Sequence, residues 1–280
     1  MPKNSSPTAL ITGIPRSGTT LLTALLNAQH NTVALAEPFP VEQFSSTPQG
    51  FVRDTRCHIQ RIRHEILEKK TAPSVSQSTT SQSTNFFVPM QKGQQLRPRM
   101  GHRRSIRIEK SVDDDFSLYI KHPAAFTAQW EVLSTNFPIF AVIRSPIAVL
   151  ASWQTVDLPI NRGYLPVAER HVPSLRELLK QEPDCLKRQV VILNWFLQIY
   201  KRFPSNSIVR YEDLLSNPQR TLRVLHPLAQ ASNRTFVNLP LNKRYPAADL
   251  EKITRALIPL SRVTNFFYPA GDPSGNPPVA

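Results

Sequence analysis

The sequence predicts an α/β fold in which a central parallel sheet is flanked by helices, and three observations support this fold class. Short apolar or β-branched runs occur at residues 8–12 (TALIT), 139–143 (IFAVI) and 207–210 (SIVR). Each run leads into a turn and then into a helical pattern, at residues 18–28, 147–153 and 218–228. Repeated strand-loop-helix units favour a parallel sheet, and ligands of such sheets bind at the carboxyl ends of the strands.

The segments between these units predict further elements. The run VALA, which ends just before Glu37, predicts a second short strand, and the spacing of Ile59, Ile62 and Ile66 predicts a helix over 51–70. The Ser/Thr/Gln-rich stretch 72–85 has no periodic apolar face and predicts a mobile loop. Residues 97–110 form a basic stretch. Residues 186–203 predict a largely buried helix, and residues 269–280 predict a disordered tail.

Composition limits the class of protein. A chain of 280 residues with 40% hydrophobic residues can form one sizeable core, so we expect a single domain over residues 1–280 with an insertion at about 39–110. The net charge of +14 favours an anionic partner: a polyphosphorylated cofactor, an acidic substrate, a membrane surface or nucleic acid. With two cysteines, no signal-like apolar start and no membrane-spanning run, we expect reduced thiols and a cytoplasmic protein.

The segment GIPRSGTT, between the first predicted strand and helix, has the context of a phosphate-binding P-loop. The usual pattern G-x-x-x-x-G-K-[ST] places lysine where this chain has Thr19, and Arg16 lies inside the loop instead. Backbone amides and the start of a helix can bind an anion, and the planar guanidinium of Arg16 can contact two oxygens at once. Without the lysine, metal-dependent phosphoryl transfer is not favoured.

A second anion site is predicted by VIRSPIAVLASW. Arg144 ends a predicted strand and Ser152 follows eight residues later, about two helical turns on. From the loop and the helix, the two side chains can approach one phosphate. Taken alone, these residues also fit a solvent-facing arginine and an ordinary helix serine.

Three blocks in order, PRSGTTLL, VIRSPIAVLASW and IVRYEDLLSNPQRTL, resemble the P-loop sulfotransferase family, in particular its carbohydrate and tyrosylprotein sulfotransferases. The resemblance covers most of the chain from Thr8 to about Ala229. It implies the P-loop NTPase-like sulfotransferase fold and transfer of a sulfuryl group to a hydroxyl of a carbohydrate, lipid, metabolite or peptide. The implied donor is 3′-phosphoadenosine-5′-phosphosulfate (PAPS), with no metal required.

The resemblance also implies roles for individual residues. The donor's 5′-phosphosulfate would be held by the P-loop residues Arg16, Ser17, Gly18, Thr19 and Thr20. Its 3′-phosphate would be held by Arg144 and Ser152, and Tyr211 would contact the adenine. The insertion would shape the acceptor side.

For catalysis, the resemblance implies Glu37 as the base, provided that burial raises its pKa, with Lys121 and Arg16 stabilising the transferring group. His122 is a rival base, although a histidine beside a proline is more often structural. The family's glycine-containing C-terminal segment for the 3′-phosphate has no clear counterpart, and Lys243, Arg244 or Arg262 are open substitutes. The identity of the acceptor and the oligomeric state stay open.

Several alternatives compete with these assignments. Asp113, Asp114 and Asp115 suggest a metal site, but adjacent acids point in different directions and favour a solvated turn.

The arginines of the basic stretch fit an acidic acceptor or a solvated loop equally well: Arg97, Arg99, Arg103, Arg104 and Arg107. A P-loop small-molecule kinase, a basic nucleic-acid-binding protein and a family member that binds the donor without turnover are the alternative functions. We expect no nucleic acid partner, because the basic stretches lack regularly interleaved aromatic residues.

Overall fold

The computed structural model describes residues 7–77, 96–230, 236 and 240–269. Within these ranges the chain forms the strands β1 (Thr8–Gly13), β2 (Thr32–Ala36), β3 (Thr71–Ser76), β4 (His102–Arg107), β5 (Ser117–Lys121), β6 (Ile139–Ile143) and β7 (Ile208–Arg210). The α-helices of the first half are α1 (Thr19–Asn27), α2 (Pro48–Lys69), α3 (Pro123–Ala128), α4 (Trp130–Ser134) and α5 (Pro146–Trp153). Those of the second half are α6 (Pro166–His171), α7 (Pro173–Gln181), α8 (Cys185–Tyr200), α9 (Tyr211–Ser216), α10 (Pro218–Leu225), α11 (Ala247–Leu257) and α12 (Ser261–Phe267).

Five strands form a parallel sheet in the order β2-β5-β1-β6-β7. All five residues of β2 are buried, as expected for a strand covered on both faces. Successive residues of β1 face opposite cores: Leu10 packs with one hydrophobic cluster and Ile11 with the other. Helices lie on both faces of this sheet, which confirms the predicted α/β fold with a central parallel sheet.

Most locally encoded elements lie close to their predicted positions. The predicted strands at 8–12, 139–143 and 207–210 are β1, β6 and β7, and the run before Glu37 is β2. The predicted helices at 18–28, 51–70, 147–153, 186–203 and 218–228 are α1, α2, α5, α8 and α10. The helix α5 is buried at every position, so it lies in the interior beside the sheet.

The prediction of a mobile loop over 72–85 is wrong for its first part. Residues from Thr71 to Ser76 form β3, which pairs antiparallel with β4. Ser74 is fully buried and bonds both ends of Ala36, accepting from its amide at 3.1 Å and donating to its carbonyl oxygen at 3.3 Å. A buried serine with backbone partners looks the same in sequence as a loop serine, and the pairing partner lies about 30 residues away. Residues 78–85 of that stretch, and 270–280 of the tail, lie outside the described residues.

In the part of the chain that the structure describes, no helix is both long and apolar enough to cross a membrane.

Candidate functional site

The loop after β1, residues 13–18, has a backbone that few residue types adopt. Gly18 has φ of 95°, and a Cβ added there would lie 2.3 Å from Cδ2 of Tyr211, so the ring packs directly against the loop. Arg16 has φ of 71°, the left-handed region that costs a non-glycine residue of the order of 1 kcal/mol. The glycine loop (residues 13–18) therefore combines a glycine that is sterically required with an arginine held in a strained conformation.

Several bonds fix this loop to its neighbours. Ser17 is fully buried; its hydroxyl donates to the carbonyl of Val142 at 2.8 Å and its amide donates to that of Ile14 at 3.0 Å. The indole Nε1 of Trp153 donates to the carbonyl of Pro15 at 2.8 Å. The hydroxyl and the amide of Ser17 thus both donate hydrogen bonds within the protein. The amides in the first turn of α1 follow the N-cap Gly18, which has no side chain to accept hydrogen bonds from them.

The residues expected to hold the two ends of the donor lie together. Nε of Arg16 donates to Oγ of Ser152 at 3.2 Å, across 136 positions of sequence. Arg144 donates to the carbonyl of Arg16 at 3.3 Å and places its guanidinium over the ring of Tyr211, 4.7 Å from the centroid. The glycine loop, the start and end of α5 and the residue after β7 therefore meet in one place.

The charge at this place is strongly positive. Burial, together with the positive charges of Arg97 and Arg144, lowers the pKa of Arg16 to about 10. We call these three residues the arginine cluster. Like charges this close favour a site for an anion, because a bound anion offsets both their repulsion and their desolvation.

An ion pair forms at the neighbouring strand ends. The register that places Ala36 beside Lys121 brings Glu37 to the lysine, and Nζ of Lys121 lies 2.8 Å from Oε1 of Glu37. The lysine side chain is only 2% exposed, and Arg99 approaches the other carboxylate oxygen at 3.4 Å. Burial acts to raise the pKa of Glu37, but the charges of Lys121 and Arg99 outweigh it and lower this pKa to about 2.

The direction of this shift corrects an expectation. The expected role of Glu37 as a base depends on a pKa raised by burial, but in the structure the adjacent cations outweigh burial and lower this pKa. Glu37 is therefore ionised at neutral pH and, while it is paired with Lys121, a weak proton acceptor.

His122 is buried and engaged in the fold. Its Nε2 accepts from the amide of Phe39 at 3.1 Å, and its ring stacks on that of Phe39 with centroids 5.3 Å apart. Burial lowers the pKa of His122 to about 3, and the nearby Lys121 contributes in the same direction. A neutral imidazole whose Nε2 already accepts a backbone proton fits the structural reading of this residue.

A cleft of about 730 Å³ joins these parts. Its lining includes Arg16 of the glycine loop and Thr20 of α1, and also Glu37 and Lys121. The remaining lining comes mainly from the insertion and from the loops around α3 and α6: Pro15, Val41, Glu42, Val75, Arg99, Gly101, His102, Arg103, His122, Pro123, Ala124, Ala125, Leu158 and Val167. The cleft is large enough for a small-molecule ligand and has cations on two sides.

The basic stretch does not behave as one unit. Arg97 belongs to the arginine cluster, Arg99 pairs with Glu37, and Arg103 pairs with Glu42 at 3.1 Å. Nε of Arg104 is buried and has no hydrogen-bond partner among the residues that the structure describes, whereas Arg107 is exposed. Two of these arginines therefore line the cleft, and a third lies near the glycine loop.

The acidic residues Glu212, Asp113 and Asp115 have partners within the fold. Glu212 is buried and accepts from the amide of Ser145 and from the hydroxyl of Tyr268, each at 3.0 Å, so it holds the strand-to-helix junction that carries Arg144. Asp113 and Asp115 contact Asn31 through a backbone amide and a carboxylate. Among the described residues, no group of three or more His, Cys, Asp or Glu side chains is arranged to hold a metal ion.

The site contains residues that the sequence reasoning did not assign to it. Trp153 anchors the glycine loop through its bond to Pro15, and Tyr245 lies close enough to Arg16 to influence its pKa. The basic stretch singled out Arg97, but nothing in its local pattern indicated that it would meet Arg16. Only the packing of the insertion against α5 brings them together.

Comparisons with known proteins add little to this geometry. No family model matches the chain, and no curated protein matches it. Among solved structures, the chain is similar to the sulfotransferase domain from the curacin biosynthetic pathway, with 15% identity over 90% of this chain and 97% of that domain and a TM-score of 0.35. At this TM-score the similarity supports no argument about function, which therefore depends on the site itself.

Proposed function

We propose that this protein is a sulfotransferase that uses PAPS and transfers its sulfuryl group to a hydroxyl of an acceptor. The observation that carries the proposal is the 3.2 Å bond from Arg16 to Ser152, which joins the glycine loop to the second anion motif. A ligand with phosphates at both ends of one adenosine needs these two sites side by side. The resemblance of three ordered sequence blocks supports the same assignment.

The arrangement fits such a donor chemically. The backbone amides of Gly18, Thr19 and Thr20, with the hydroxyl of Thr20 and the guanidinium of Arg16, would hold the 5′-phosphosulfate. Arg144 and Ser152 would hold the 3′-phosphate, and Tyr211, whose ring covers Gly18, would contact the base. Bound in this way, the donor supplies a sulfuryl group attached to a good phosphate leaving group. Ser17 contributes indirectly, because its hydroxyl and amide hold the loop in shape.

Glu37 and Lys121 would act on the acceptor side and on the leaving oxygen, respectively. The phosphosulfate of a bound donor would compete with Glu37 for Lys121. Weakening of the Glu37–Lys121 ion pair would move the pKa of Glu37 back towards its ordinary range. The carboxylate would then accept the proton of the acceptor hydroxyl more readily, while the lysine stabilises developing negative charge. Donor binding would therefore raise the pKa of Glu37 from about 2 towards its ordinary value.

Binding of 3′-phosphoadenosine-5′-phosphate, measured by calorimetry and by melting temperature, tests the proposal. We expect saturable binding that is unchanged by chelation of magnesium, and a loss of roughly tenfold or more in Arg16→Ala and in Ser152→Ala, the scale of a hydrogen bond to a charged group. The matched control is Arg223→Ala, which removes the same charge from an exposed position on α10 and should bind normally.

Two results would contradict the proposal. The first is that the wild-type protein neither binds the bisphosphate nor gains melting temperature from it. The second is that ATP with magnesium protects the protein better than the bisphosphate does, which would favour a P-loop kinase.

A further inference from the structure

A short piece of the insertion crosses to the end of α5. The amide of Arg97 donates to the carbonyl of Thr155 at 2.9 Å, and the carbonyl of Arg97 accepts from the amide of Asp157 at 3.0 Å. Arg97 and Val156 thus form a parallel bridge outside the two sheets. This pairing holds Arg97, the first residue of the RPR segment (residues 97–99), along the segment that follows α5.

The Arg97 side chain is held at the same place. Its Nε donates to the carbonyl of Thr155 at 3.3 Å and its Nη2 donates to the hydroxyl of Thr155 at 2.6 Å. That hydroxyl in turn donates to the carbonyl of Ser152 at 2.9 Å. The guanidinium of Arg97 is therefore anchored within one helical turn of Ser152, whose hydroxyl accepts from Arg16.

The electrostatics agree with this geometry. After burial, the charge of Arg97 is the largest influence that lowers the pKa of Arg16, ahead of that of Arg144. Three arginines from separate parts of the chain are thus held near one another: Arg97 by its bonds to Thr155, Arg16 by its bond to Ser152, and Arg144 by its bond to the carbonyl of Arg16. Such convergence is unfavourable without an anion and becomes favourable with one.

The spacing of the RPR segment links this place to the cleft. Arg97 meets the arginine cluster, and Arg99 meets Glu37 at 3.4 Å. One segment therefore supplies a cation to each half of the site.

We propose that Arg97 is a further donor-binding residue, which contacts the 3′-phosphate together with Arg144 and Ser152. This inference rests on the proposed function. It places the second 3′-phosphate cation, after Arg144, in the insertion rather than at the C-terminal candidates Lys243, Arg244 or Arg262. The donor pocket then depends on the pairing of Arg97 with residues 155–157, the segment that follows α5.

The test compares two ligands that differ in the 3′-phosphate: 3′-phosphoadenosine-5′-phosphate and adenosine 5′-monophosphate. In Arg97→Ala we expect the bisphosphate to bind roughly tenfold or more weakly, the scale of a lost charge-assisted contact, while monophosphate binding changes by less than about threefold. Arg107→Ala, an exposed arginine of β4, is the matched control and should leave both affinities unchanged. Thr155→Val keeps the arginine and removes its hydroxyl anchor, so we expect a smaller loss, again confined to the bisphosphate.

The outcomes separate the two proposals. Absence of bisphosphate binding by the wild-type protein would overturn the proposed function itself. Normal bisphosphate binding by Arg97→Ala, or an equal loss for both ligands, would show that Arg97 only fastens the insertion and would overturn this inference alone. Should Arg97→Ala fail to fold, the ratio of the two affinities in Thr155→Val decides, and an unchanged ratio overturns the inference.

Discussion

The ammonium group of Lys121 lies 2.8 Å from Oε1 of Glu37, where the neighbouring strands β5 and β2 end side by side. The lysine is almost completely buried, so water can do little to replace the carboxylate as its partner, whereas the Glu37 side chain is 27% exposed. Removal of one member of a buried pair leaves the other uncompensated, which is more costly than the pair's net contribution to stability. The first prediction follows from this relationship.

The ionised carboxylate of Glu37 should stabilise the folded protein in a defined range of pH. Its pKa is about 2 in the folded protein, against 4.5 for an unperturbed glutamate. A depressed pKa contributes stability that is fully present above about pH 4.5 and is lost as the pH falls towards 2. The linkage relation sets an upper limit of roughly 3 kcal/mol for this contribution.

Urea unfolding of the wild type and of Glu37→Gln, at several pH values between 3 and 7, measures this contribution. We expect the wild type to be more stable at pH 6 and the difference to shrink as the pH falls below about 4.5. Glu68→Gln, at an exposed position of α2, serves as the control and should show no such convergence. A difference between the wild type and Glu37→Gln that stays constant with pH would contradict the prediction.

At position 16, glycine should give a more stable protein than alanine, the reverse of the order expected within a helix. Because its φ is 71°, alanine there keeps the left-handed strain and glycine removes it, so Arg16→Gly should be more stable than Arg16→Ala by about 1 kcal/mol. At Arg61, an exposed position within α2, alanine should instead be the more stable by a similar amount, about 1 kcal/mol. Chemical denaturation of the four variants decides this, and the same order at both positions would refute it.

Gly18→Ala should destabilise the protein through contact with Tyr211. An added Cβ would lie 2.3 Å from the ring, and φ of 95° is itself unfavourable for alanine, so we expect a loss of about 2–4 kcal/mol in the free energy of unfolding. Tyr211→Ala relieves the clash but not the backbone strain. The double variant should therefore lose less than the sum of the two single losses, whereas strict additivity in this cycle would mean that the ring does not contact the glycine.

Tyr268→Phe should lower stability because it removes a buried hydrogen bond to a carboxylate. The hydroxyl of Tyr268 donates to Oε2 of Glu212 at 3.0 Å, and burial together with the charge of Glu212 raises the pKa of this phenol well above its usual value. We expect a loss of about 1.5–3 kcal/mol, against almost none for Tyr164→Phe at an exposed position. Equal stabilities of the two variants would argue against a structural role for this bond.

The predictions that succeeded depended on short-range patterns. The strand, glycine loop and helix around Arg16 are contiguous, and so are the strand and helix that carry Arg144 and Ser152. Apolar runs bounded by turn residues encode such units locally. The pairing of β3 with β4 was missed because a buried serine and a proline hide the alternation, and because the two strands lie far apart in sequence.

The sequence by itself determined the class of fold, the ends of the strands at which the site lies, and the residue types offered to an anion. Only the tertiary structure decided that the charges of Lys121 and Arg99 lower the pKa of Glu37 more than burial raises it. The tertiary structure also decided that Arg97 lies near Arg16 and Arg144. The reason is that Coulomb interactions and hydrogen bonds depend on distances between atoms. Those distances are set by packing between residues that lie far apart in sequence, by 62 positions in the pair Glu37–Arg99 and by 136 in the pair Arg16–Ser152.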